Sequence, residues 1–124
     1  LMRYLTDRKR VDGLGSAKTG TSHFWAMKVS SVALLLLIPV FVLMFGIMLG
    51  KPHAEVVAFF SKPFPAVVAV LTLIVGFEHF KGGVHVLIED YVQGTAQKLW
   101  LILMTCLCYA AMAIGVFAVA KIAF

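Results

Sequence analysis

Glu78, His79, Lys81 and His85 lie in or beside an apolar stretch of membrane-spanning length, and Asp90-Tyr91 closes it. An ionisable group at membrane depth is expensive, so each is read first for function. His79 stands eleven residues before Asp90. On a helix at about 100° per residue, that offset returns to within about 20° of the starting direction, roughly 16 Å farther along the axis. His79 and Asp90 therefore share one face. Gly82 and Gly83 lie one turn from the histidine and strip side chains from that face. This geometry suits a flat cofactor held by an imidazole, with a polar pocket three turns away at the membrane surface.

A neutral imidazole is a common ligand for haem iron on a bundle helix. A bond to a neighbouring helix is the alternative for His79, and close helix packing is the alternative for the glycines. Only His79 has the required position, so a six-coordinate iron would take its second axial ligand from another chain. His85 points about 120° away from His79 and cannot hold the same iron; a propionate, a lipid or a partner is its expected bond. His53 falls in a loop, and His23 lies near Trp25 at a span edge. For Asp90-Tyr91 two readings stand. One is a solvated acid beside an interfacial tyrosine. The other is a phenol that donates to a carbonyl oxygen, with an acid that orients a basic partner or relays protons.

The positioning elements follow from composition. The chain has 124 residues, 61% of them hydrophobic, and a mean hydropathy of +0.96. Soluble domains run nearer half apolar, so this is an integral membrane protein of one domain. Net charge is +5, but its distribution matters more. Arg3, Arg8, Lys9, Arg10, Lys18 and Lys28 precede the first apolar run, opposed only by Asp7 and Asp12. Bases beside a span set orientation and touch anionic headgroups. No aromatic-basic interleaving points to nucleic acid. The arm does not read as a secretory signal, and its two acids argue against a mitochondrial presequence. Cys106 and Cys108, two apart, point about 160° away from each other on a helix and read as packing residues.

The expected architecture is all-α, with residues 1–28 as a polar arm and residues 29–121 as a three-span membrane unit. The spans are about 29–49, 65–90 and 99–120. Pro39 is expected to kink the first, and Pro63 and Pro65 suit the start of the second. The loop of residues 51–62 is expected to hold an interfacial turn around Val56 to Phe60, and Gly94 to close the turn before the third span. Trp25 and Trp100 fall at span edges, as in an aromatic belt. The base count puts the arm, and with it Asp90-Tyr91, on the cytoplasmic side.

His79, Gly83, Asp90 and Tyr91, with aliphatics between them and Asp-Tyr closing the second of three spans, resemble the small membrane-anchor subunits of bacterial succinate dehydrogenase. The stretch from Gly20 to Ser31 is similar to that family's entry into its first span. The resemblance implies that His79 ligates haem b and that Tyr91 hydrogen-bonds ubiquinone. It also implies that Asp90 lies beside the quinone pocket, near a base of a sister anchor subunit. Lys28 stands where many relatives carry an arginine near haem propionates or lipid. With Gly83 and His85, it completes the residues expected around the cofactor. The implied partners are a second anchor subunit, an iron–sulfur subunit and a flavoprotein, in a bacterial inner membrane with the N-terminus cytoplasmic. The rival readings are an anchor of a quinol:fumarate reductase, a small proton-conducting subunit lined by Glu78, His79 and Lys81, and a purely structural span protein.

Overall fold

The computed structural model describes residues 4, 6–15 and 18–124. Arg3 and the other remaining positions of the arm lie outside the described residues. Within them the chain is all-helical: α1 Asp7–Leu14, α2 Gly20–Met48, α3 His53–Phe60, α4 Pro63–Tyr91 and α5 Gly94–Ala123. Part of the arm is thus ordered as helix. Thr6 caps α1, its hydroxyl accepting from the Lys9 amide at 3.3 Å, and Asp7 occupies the first turn, where a negative charge complements the helix dipole.

α2, α4 and α5 are long and apolar enough to cross a membrane. At 29, 29 and 30 residues each is about 44 Å long, against a hydrocarbon core of about 30 Å. α2 therefore begins well before the apolar run at Val29, and its first turns carry His23, Trp25 and Lys28 toward the interface. The helix passes through Pro39 without a break. The expected turn around Val56 to Phe60 is a full short helix, α3, opened by Pro52. α4 begins at Pro63, where a missing N–H costs nothing. Gly94 does sit at the last turn, with φ +69, and also opens α5.

α4 is the central helix, with α2 and α5 both packed on it. On α2 the covered positions include Met27, Ser30, Leu34, Leu37, Phe41, Met44 and Met48. This alternation of three and four residues is the seam of helices crossing at a shallow angle. α5 repeats it with Leu101, Met104, Cys108, Ala111 and Gly115. At Gly115 a Cβ would come 3.1 Å from Leu73 Cδ1, so the small residue lets α5 close on α4. Cys108 is buried on this seam while Cys106 is exposed. Few side chains are buried by the chain itself; Met44, Val68, Ala69, Ile88 and Cys108 make up the apolar core among the described residues. The large apolar side chains left outside, such as Leu35, Leu43 and Phe117, suit lipid or a neighbouring subunit rather than water.

Candidate functional site

α4 is helical without interruption from Pro63 to Tyr91, so the eleven-residue offset between His79 and Asp90 is realised on one element. The neighbours of α4 divide its circumference. Toward α2, His79 is half-buried, with Nδ1 2.9 Å from Ser30 Oγ. One turn on, Gly82 is buried, and a Cβ there would stand 2.5 Å from Met27 Sδ and 3.5 Å from His23 Cε1. The close approach between α2 and α4 thus falls at Gly82.

Toward α5, Lys81 Nζ donates to Glu78 Oε2 at 2.8 Å and to Tyr109 Oη at 2.6 Å. Its side chain is only 17% exposed, so the charge at membrane depth is neutralised and hydrogen-bonded rather than bare. His85 Nε2 lies 2.8 Å from Thr105 Oγ1, and that hydroxyl donates to the Leu101 carbonyl at 2.7 Å. His79 and His85 therefore engage different helices, as their angular offset required.

The third sector is open. Gly83, Val86, Leu87, Asp90 and Tyr91 are all exposed, and a Cβ at Gly83 would meet nothing within 4 Å. Gly83, Val86 and Asp90 continue the line of His79 down α4 to within about 40°, and Leu87 and Tyr91 lie farther round the helix, also uncovered. The strip is apolar in the middle, glycine-thinned beside the imidazole and polar at its end. Tyr91, 83% exposed, is the last helical residue before Val92 turns extended. The turn beyond it is tied back by Gln97, whose Nε2 donates to the Glu89 carbonyl at 3.2 Å. Lys28 is exposed, with Nζ 5.5 Å from the Phe24 ring centroid; it lies beside the Met27–Ser30 edge of α2 and off the seam with α4.

Sequence reasoning placed His79 and Asp90 on one face with Gly82 and Gly83 beside the histidine; in the structure Gly83 lies on the open side, whereas Gly82 is packed against Met27. It did not anticipate Ser30 as the partner of His79, Thr105 as that of His85 or Tyr109 as that of Lys81. The available signal was a hydroxyl or phenol standing inside an apolar run, and such a group must find a partner in lipid. Among the described residues no group of three or more His, Cys, Asp or Glu side chains could hold a metal ion. An iron on His79 would take its other ligands from a porphyrin and from outside this set. The residues present fit that demand. Nδ1 of His79 is engaged by Ser30, Nε2 makes no hydrogen bond among the described residues, and the glycine beside it leaves room for a flat ring.

No solved structure matches the chain. Residues 2–117 match the family described as succinate dehydrogenase/fumarate reductase transmembrane subunit. The chain is also 42% identical over 120 residues to the succinate dehydrogenase hydrophobic membrane anchor subunit of Paracoccus denitrificans, covering 97% of this chain and 93% of that relative. With nearly its whole length matched by the family and its three spans in place, the chain belongs to the succinate dehydrogenase/fumarate reductase transmembrane subunits.

Proposed function

We propose that this chain is a membrane anchor of a bacterial succinate:ubiquinone oxidoreductase, supplying one axial ligand of haem b and part of the ubiquinone-reduction site. The observation that carries the reading is the uncovered strip of α4, which runs from the His79 imidazole past Gly83 to Asp90-Tyr91. The identity to a succinate dehydrogenase anchor favours succinate oxidation over the reverse, fumarate-reducing direction. The chain has neither a flavin motif nor a cysteine cluster for iron–sulfur ligation, so succinate oxidation and the first electron transfers fall to a flavoprotein and an iron–sulfur subunit. A second anchor subunit would cover the strip and supply the opposite haem ligand. The complex would sit in the inner membrane, with the N-terminal arm cytoplasmic by its bases.

Haem, when bound, supplies a one-electron redox centre; the protein holds and orients it. His79 would ligate the iron, Gly83 would let the ring lie close, and Lys28 would offer its ammonium to propionates or headgroups from the α2 edge. Tyr91 would donate its phenol proton in a hydrogen bond to a quinone carbonyl. That bond strengthens as the oxygen gains negative charge. Asp90 beside it would orient a basic residue of the sister subunit. The ion pair of Lys81 with Glu78 and its bond to Tyr109 tie α4 to α5, which favours a structural contact there over a proton path.

The deciding experiment is the reduced-minus-oxidised absorbance spectrum of the purified complex with His79→Leu. A lost or altered b-type spectrum is expected. An unchanged spectrum with full haem content removes His79 from the site.

A further inference from the structure

A neutral imidazole carries one protonated and one bare nitrogen, and only the bare one can bind iron. Which nitrogen is bare depends on what the other one faces. His79 Nδ1 faces Ser30 Oγ at 2.9 Å. Ser30 has a single hydroxyl proton, and its oxygen lies 3.0 Å from the Met27 carbonyl, in a geometry for donation. With that proton given to Met27, the Ser30 lone pairs face the ring, so Nδ1 holds the ring proton and donates it to Ser30. Nε2 is then bare.

We propose that Ser30 is a positioning residue that locks His79 in the tautomer whose Nε2 is open to iron. The inference rests on reading His79 as a haem ligand. The opposite tautomer would place an N–H on Nε2, which has no acceptor among the described residues, at a half-buried position where an unpaired donor is costly. The proposed arrangement uses every proton, from ring to serine and from serine to carbonyl, and bonds in such a chain polarise one another. An acceptor on Nδ1–H also raises the basicity of Nε2 and fixes the ring plane. A residue of α2 thus sets both the electronics and the orientation of a ligand carried by α4.

Ser31 provides the control. Its hydroxyl also donates to the Met27 carbonyl, at 2.7 Å, yet it is exposed and makes no bond to His79. The test uses the intact haem-loaded complex with Ser30→Ala, Ser30→Thr, Ser31→Ala and His79→Ala. It reads haem retention, midpoint potential and the ferric haem paramagnetic resonance signal. Ser30→Ala is expected to weaken haem retention roughly 10-fold, to raise the midpoint potential because a less basic imidazole stabilises ferric iron less, and to shift the ferric signal. Ser30→Thr, which keeps a hydroxyl, restores all three, and Ser31→Ala matches wild type. Should Ser30→Ala not assemble, Ser30→Cys, close in size and a weak acceptor, decides by the same readouts. Wild-type potential and signal in Ser30→Ala, or an equal change in Ser31→Ala, overturns the inference and leaves the ligand reading standing if His79→Ala still loses the haem spectrum. An unchanged spectrum in His79→Ala overturns both.

Discussion

Thr105 Oγ1 stands 2.8 Å from His85 Nε2 across the α4–α5 seam, with its own proton on the Leu101 carbonyl. Two α4 histidines six residues apart thus each meet a hydroxyl that bonds back to its own helix, one from α2 and one from α5. The pattern is the same; the sectors differ. His79 borders the open strip, whereas His85 is held in the seam.

Thr105→Val deletes the seam hydroxyl while keeping its shape. It should lower the thermal stability of the detergent-solubilised complex by about 1 kcal/mol, the usual worth of a hydrogen bond. The haem spectrum should stay as in wild type. A spectral change as large as that of His79→Leu would place His85 against the cofactor instead.

Gly82 and Gly83 should respond oppositely to enlargement. Gly82→Val forces a side chain into Met27, whose Sδ would lie 2.5 Å from the new Cβ, and should destabilise the α2–α4 packing by about 1–3 kcal/mol. Met27→Ala in the same chain should recover part of that loss. Gly83→Val meets nothing in this chain, so it should leave the anchor intact and reduce haem content. Pigment-to-protein ratio and melting temperature separate the two.

Lys81→Met leaves Glu78 and Tyr109 without their shared partner between α4 and α5. A destabilisation of about 1–3 kcal/mol is expected for the stranded polar groups. The double variant Glu78→Gln, Lys81→Met should recover part of it, because removing both charges avoids an unpaired one. Proton leak through reconstituted vesicles should not change in either variant; a rise or fall in leak would instead assign the cluster to a proton path.

Tyr91→Phe removes one hydroxyl from an exposed helix end and should leave assembly and haem content near wild type. Succinate oxidation with an artificial acceptor that draws electrons upstream of quinone should persist. Quinone reduction should fall by on the order of 10²–10³-fold, as when a donor to a developing oxyanion is deleted. Wild-type quinone reduction would make Tyr91 an interfacial anchor only.

The spans were legible because an apolar run of about 20 residues has few other destinies, and the His79–Asp90 offset because helical angle follows from count alone. Less legible was the start of α2 at Gly20: its first turns are polar, and helicity there extends a span already paid for by the apolar residues beyond. Ser30 was unreadable as a partner of His79, since which of two adjacent serines faces α4 depends on how α2 is rotated. From the sequence Lys81 is only an ionisable group in an apolar stretch, with no partner in sight. It turns to Glu78 and Tyr109 because Tyr109, on α5, comes within 2.6 Å of its nitrogen, a proximity set by tertiary packing.

The wedging of α4 between α2 and α5 makes it an axle. His79 and Tyr91 are twelve residues apart on one unbroken helix, about 18 Å along its axis. Neither neighbour can be passed without sliding the Met27 contact at Gly82 or the Leu73 contact at Gly115. Any twist of α4 that re-aims the imidazole therefore re-aims the phenol by the same angle, so the two ends of the strip are geared together.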